Sequence, residues 1–202
     1  MSIIDDSYFQ ELLQCSPETT GQDKNCYFDP VTAAWRIKAW DQEYLILPGT
    51  KEIRAASAAA PPMHDYFGVF LLYYLLRTQP GQYSHEWISE KDLAGGPTFF
   101  RGPHAIPTSQ ISDLFANDLD AFKKRCTELQ GQPINLADGA FSFTIVPGIR
   151  VAVLYWIGDD DFPAEARVLY DRSVEQMLTL DVVFALAVEV CHRISLPVRQ
   201  NR

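Results

Sequence analysis

The run Tyr66-Phe67-Gly68-Val69-Phe70-Leu71-Leu72-Tyr73-Tyr74-Leu75-Leu76 constrains this chain more than any other segment. It is apolar at every helical position, so no face of it suits water. It is also about half of the roughly 20 apolar residues that a bilayer crossing needs. The segment predicts a helix buried at the centre of a fold or against a second subunit. Pro61-Pro62 opens it, Asp65 sits in its first turn where the helix dipole favours an acid, and Pro80-Gly81 ends it. A second helix is predicted from about Leu180 to Ile194, with Asp181, Glu189 and Arg193 as its only polar stripe and Pro197 as its stop. Two helices this apolar lead to the expectation of a homodimer.

Around them the pattern alternates between helix and strand. Asp5 or Asp6 is placed to cap a first helix through Tyr8, Phe9, Leu12 and Leu13, and a polar loop runs from Glu18 to Asn25. Ala33, Trp35, Ile37 and Ala39 fall on one side of a strand, with Arg36, Lys38 and Trp40 on the other. A turn at Asp41-Gln42 and a return through Tyr44 to Leu47 complete a hairpin. Glu86 to Ser89 reads as a short strand and Gly95-Gly96-Pro97 as a turn. Ser109–Phe115 and Leu119–Leu129 read as helices, with Gly131 capping the second. Strands follow at Ala140–Val146 and Val151–Ile157, around a turn at Pro147-Gly148, and at Arg167–Tyr170. Hairpins without regular β–α–β alternation predict one α+β domain over residues 1–202, an antiparallel or mixed sheet packed against helices. With 47% hydrophobic residues such a chain builds a core without disulfide or metal staples.

Several function classes are disfavoured. The net charge is −9, and the densest basic spot, Lys123-Lys124-Arg125, shares its helix with Asp118, Asp120 and Glu128, so a nucleic-acid partner is not expected. Asp5-Asp6 stands where an export signal has a positive region, which predicts a cytoplasmic chain and no membrane partner. Cys15, Cys26, Cys126 and Cys191 form no C-x-x-C pair and read as free thiols. No dinucleotide or P-loop glycine signature, zinc-protease motif or nucleophile elbow is present, and no cofactor is predicted.

Two stretches carry candidate chemistry. Asp159-Asp160-Asp161, at the end of an apolar strand that closes with Trp156, repel one another unless solvated, paired or bound to a cation. Asp159 and Asp161 share one side of an extended chain and, with Asp171 beyond the next strand, make a candidate divalent-cation site. The competing reading is a solvated loop in which one Asp caps a turn. Trp87 with His85, Glu86 and Asp92 makes a candidate pocket wall, against a reading of Trp87 as core. Trp87, Asp92, Trp156 and Asp160 are the candidate ligand-binding residues, and a cavity lined by both tryptophans and the acidic loop is the arrangement that would join them.

Glu86-Trp87-Ile88, Asp92 to Gly96, Leu129-Gln130-Gly131, Val146-Pro147, Trp156 with Asp159 to Ala164, Leu169 to Ser173 and Leu178 to Asp181 occur in one order. In these blocks the chain, from about Tyr66 onward, resembles an uncharacterised family known as domain of unknown function 3786. The resemblance implies a protein of anaerobic bacteria or archaea, without an assigned activity or catalytic residues. Some relatives are joined to a small iron–sulfur domain of the kind found near corrinoid methyl-transfer proteins, whose clustered cysteines this chain lacks. The leading expectation is an accessory or ligand-binding domain that acts with a protein partner or small ligand. A divalent-cation-dependent hydrolase or transferase using the Asp159–Asp161 loop is the first alternative, and a homodimeric assembly protein is the second.

Overall fold

Asp5 does cap the first helix: in the computed structural model, which describes residues 3–196, its carboxylate accepts from the Ser7 N–H at 2.8 Å. That helix, α1 (Asp6–Leu12), turns Phe9 and Leu12 into the core, and the single turn α2 (Pro17–Thr20) follows. Next comes an antiparallel meander of β1 (Cys26–Asp29), β2 (Ala34–Ala39), β3 (Gln42–Leu47) and β4 (Glu52–Ala55). The predicted hairpin is β2–β3, with Trp35 opposite Ile46. Its turn, however, is Trp40-Asp41, because Ala39 pairs with Gln42. Trp40 leaves the strand at φ 57°, so its indole swings inward, against Phe143, and donates to the Leu129 carbonyl at 2.9 Å. Trp40 therefore does not lie on the outer side with Arg36 and Lys38; burying an aromatic ring outweighs the cost of a left-handed backbone.

The all-apolar segment forms α3 (Asp65–Arg77), which starts after the two prolines with His64 as its cap: Nδ1 accepts from the Tyr66 N–H at 3.2 Å. Phe67, Phe70, Leu71, Leu72, Tyr74 and Leu75 are buried. Beyond it lie β5 (Trp87–Ile88), the turn α4 (Gly96–Phe99), α5 (Ser109–Phe115) and α6 (Leu119–Glu128). They are followed by β6 (Gln132–Pro133), β7 (Gly139–Val146), β8 (Ile149–Trp156), β9 (Glu165–Asp171) and α7 (Leu180–Ser195). The predicted stop at Pro197 lies outside the described residues. The residue beyond α6 that turns left-handed is Gln130, at φ 61°, and not Gly131. Gln130 N–H bonds to Thr127 O and Gly131 N–H to Cys126 O, both at 2.9 Å, the paired closure of a Schellman end. Glycine is needed at 131 for closeness: a Cβ there would fall 2.6 Å from the Phe143 ring.

Strands β5 to β9 make a second antiparallel sheet in the order β5-β9-β8-β7-β6, which is turned between β7 and β8 at Pro147-Gly148, where Gly148 has φ 80°. One face (Phe141, Phe143, Val151, Val153, Tyr155, Ala166, Val168) joins a core that runs through α3, α7 and the four-stranded meander. The opposite face collects Ala140, Ala152 and Leu154, flanked by Trp87, Trp156 and Leu169. The architecture is α+β, with both sheets antiparallel. Helices α3 and α7 pack on each other, Tyr66 against Phe184 with ring centroids 5.5 Å apart, so the apolar character behind the homodimer expectation is used within the chain. No helix among the described residues is long and apolar enough to cross a membrane.

Candidate functional site

The acidic bend is a hydrogen-bonded loop. Asp159 Oδ1 accepts from the N–H groups of Asp161 at 2.9 Å and Phe162 at 2.8 Å, and the Asp159 N–H returns to Phe162 O at 2.8 Å. Asp160 and Asp161 are exposed. Asp171 is at the far end of β9, and seven extended residues place it roughly 20 Å from the bend. The predicted set of Asp159, Asp161 and Asp171 is thus not brought together, because a strand that begins just after the bend carries Asp171 away from it. Among the described residues no group of three His, Cys, Asp or Glu side chains is arranged to hold a metal.

Asp171 has other work. It is fully buried, opposite Trp87 on β5, and its carboxylate accepts five hydrogen bonds. The donors are Ser84 N–H and Oγ (both 2.8 Å), Arg150 Nη2 (2.9 Å), His85 N–H (3.0 Å) and Ser173 N–H (3.1 Å). Burial pushes this carboxyl up, but the serine bonds outweigh it and hold the group well below the usual carboxylate range. Arg150 lies over the Tyr83 ring at 4.5 Å and the Trp87 ring at 5.0 Å. Trp87, Asp171 and Arg150 therefore form one row across β5, β9 and β8, a knot that ties the segment before β5 to the sheet. Asp92 caps its own turn, accepting from Ser89 N–H at 2.8 Å and Oγ at 2.7 Å. Trp156 sits at the other end of β8, under the Arg167 guanidinium. The two tryptophans share a sheet face but stand at opposite ends of β9, Trp87 opposite Asp171 and Trp156 opposite Glu165, so the length of the strand separates Trp87 from the acidic bend.

Two arrangements have no counterpart among the predicted sites. The first is a buried charge network. Arg193 Nη2 donates to Glu189 Oε1 at 2.8 Å and also to the Tyr44 hydroxyl, and Nη1 donates to Asp41 at 3.1 Å. Glu189 Oε2 accepts the His64 N–H at 2.8 Å, and the Arg193 guanidinium lies 5.3 Å from the Trp40 ring centroid. Burial pushes the Glu189 carboxyl up to about 7, against the pull of Arg193. Of the polar stripe on α7 only Asp181 reaches solvent. The signal available in the sequence was the i, i+4 spacing of Glu189 and Arg193 in an otherwise apolar helix. Each of these charges is answered by another group of the chain, so the network reads as architecture.

The second is a cleft of about 380 Å³ between Glu165–Leu169 of β9 and the segment that carries Phe100, Ala105, Ile106 and Thr108, with Ser89–Lys91 at one end. Strand β5 pairs with β9 only at Tyr170 and Asp171, then turns away at Ser89, where the Asp92 N–H bonds to Ser89 O. The stretch Glu165–Leu169 of β9 is thereby left unpaired on that side and lines the cleft. Sequence reading could not find it, because the cleft exists only where a strand two pairs long stops short.

A family model described as Domain of unknown function (DUF3786) matches residues 16–193. No curated protein and no solved structure matches the chain. The match takes in both sheets, the buried network and the cleft, and the chain belongs to this family of unknown function.

Proposed function

We propose that this chain is a non-catalytic, accessory binding domain whose ligand enters the cleft beside β9. The observation that carries the reading is the cleft itself: a recess with apolar side chains (Phe100, Ile106) on one wall and a partly unpaired strand on the other. Three strongly shifted groups support it from the other side. Asp171, Glu189 and Tyr44 are bonded to other parts of the chain, whereas a general acid or base must face its substrate. The free thiols fit a cytoplasmic setting, and a role beside partner proteins of an anaerobe's metabolism is what the family resemblance implies.

Amide NMR spectra recorded with a set of small apolar fragments test this. Binding is expected to shift the signals of Glu165–Leu169 and Ser89–Lys91, and Ala105→Trp, which fills the cleft from an exposed position, is expected to abolish those shifts. Fragments that gather elsewhere, or that bind the tryptophan variant equally well, overturn the reading.

A further inference from the structure

We propose that His64 and His192 form an acid-sensitive clasp: while both rings are neutral they hold the entry to α3 on α7, and protonation of the two rings releases it. The inference goes beyond the binding reading above and does not depend on what occupies the cleft.

The entry segment has few bonds of its own, since Pro61 and Pro62 have no N–H to donate. Two hydrogen bonds tie it to successive turns of α7. The His64 N–H donates to Glu189 Oε2 at 2.8 Å, and His192 Nε2 donates to the Pro62 carbonyl at 3.3 Å. A third bond points into α3, where His64 Nδ1 accepts from the Tyr66 N–H at 3.2 Å. That bond needs an unprotonated nitrogen, so the neutral His64 ring carries its proton on Nε2. The two imidazoles meet edge to face with centroids 5.6 Å apart, and the Tyr66 ring stacks on His64 at 5.3 Å. All three side chains are half-buried.

Acid works against this arrangement in three ways. A proton on His64 Nδ1 turns the acceptor into a donor facing the Tyr66 N–H. It also puts a cation at the end of α3 where the helix dipole favours an anion. A protonated His192 then sets a second cation beside the first. The surrounding charges do not offset this. On α7, Arg193 is a fixed cation, and Glu189, pushed up to about 7 by burial, takes up a proton ahead of His192. Asp41 in the β2–β3 turn and the Tyr44 hydroxyl on β3 are both engaged by Arg193. On α6, Arg125 adds a cation, bonded to the Arg193 and Ile194 carbonyls. Asp65, in the first turn of α3, is exposed and screened by water. The His192 ring is held below its ordinary value chiefly by burial; the Pro62 carbonyl pulls the other way, and His64 and Arg193 add to the lowering. A histidine held low contributes stability above its ordinary value of about 6.5, and that contribution is lost as the pH falls. Pro61 and Pro62 also wall a recess of about 340 Å³ with Asp41, Leu129 and Leu196, so release opens this recess and brings water to the Arg193 network.

The experiment follows the native chain by NMR, reading ring titration together with amide exchange, each rate expressed relative to an unstructured peptide at the same pH. Between about pH 7.5 and 5 the protection of the His64 and Tyr66 amides is expected to fall about tenfold, with the midpoint at which the two rings titrate. The amides of Phe70 to Leu75, inside α3, are expected to keep theirs. His64→Asn with His192→Gln retains a capping acceptor and a donor for the Pro62 carbonyl without a titrating ring, and is expected to hold its protection throughout. Constant protection in the native chain, or a loss whose midpoint departs from that of the rings, overturns the clasp without need of a variant. So does a loss that the double variant shares, or one spread over the whole of α3, which is acid unfolding of the helix.

Discussion

Carboxylates that look alike in the sequence behave differently according to what faces them. Asp171 is buried with an arginine and four other donors; Asp160 and Asp161 face water. Asp171→Asn is expected to cost about 3 kcal/mol in urea unfolding, since it leaves the Arg150 guanidinium beside a neutral amide, whereas Asp160→Asn and Asp161→Asn stay within about 0.5 kcal/mol. Equal costs at the three positions would contradict the assignment. The pH dependences of Asp171 and Glu189 have opposite signs. The Asp171 carboxyl is held low in the fold, so its contribution is present above the unfolded value of about 3.9 and is lost as pH falls below it. The Glu189 carboxyl is held high, so its contribution is complete below about 4.3 and disappears as pH rises to about 7. Relative to Glu189→Gln, the native chain should therefore lose on the order of 2 kcal/mol between pH 4.5 and 8. Parallel stability curves for the two proteins would refute this. Tyr170 gives the complementary case: its hydroxyl is buried without a partner among the described residues, so Tyr170→Phe is expected to leave stability unchanged or raise it, by up to about 1 kcal/mol.

At the scale of elements, α7 shows how much a helical pattern reveals. Its length and place were legible, because Leu180 to Ile194 is apolar except for a sparse polar stripe, yet Glu189 and Arg193 in that stripe are fully buried and bonded across to Asp41, Tyr44 and His64. A stripe of charge on a helix says which residues lie together but not whether water or another element receives them. Removing one member is expected to cost about 3–5 kcal/mol, because its partner stays buried and unpaired; Glu189→Leu with Arg193→Met is expected to cost much less than the two single changes added together. Additive costs in a double-mutant cycle would show the pair is not coupled. The same distinction explains the rest of the legibility. The start of α6 and the β7–β8 turn were readable because they are local chemistry: the Asp118 carboxylate accepts from the Ala121 N–H at 2.9 Å, and Gly148 takes the left-handed φ of 80°. The β2–β3 turn was placed one residue late because Trp40 answers to Leu129, far away in the chain. Strands β1 and β4 are only four residues long, so although Cys26 and Phe28, and Ile53 and Ala55, turn inward, pairing with their neighbours is what defines them.

At the scale of the whole molecule, the topology decides which of the predicted sites can exist. An antiparallel strand carries its two ends to opposite sides of the sheet, so an acid before β9 and an acid at its end share no ligand, however suggestive their order in the chain. The same geometry separates Trp87 from Trp156 and, by stopping β5 early, opens the cleft between β9 and the segment that carries Phe100, Ala105, Ile106 and Thr108. This gives the cation expectation a quantitative test. A metal bound at a hundred times its dissociation constant stabilises a fold by about 2.7 kcal/mol, and at this chain length each kcal/mol moves the melting temperature about 2–4 °C. Millimolar magnesium, calcium, manganese or zinc is expected to leave the melting temperature within about 1 °C, because Asp159 spends its carboxylate on the Asp161 and Phe162 N–H groups and Asp171 is enclosed by its own five donors. A rise of about 5 °C that Asp159→Asn abolishes would mean that the bend gathers ligands from elsewhere in the chain, and the reading of these carboxylates as loop and sheet anchors would have to be given up.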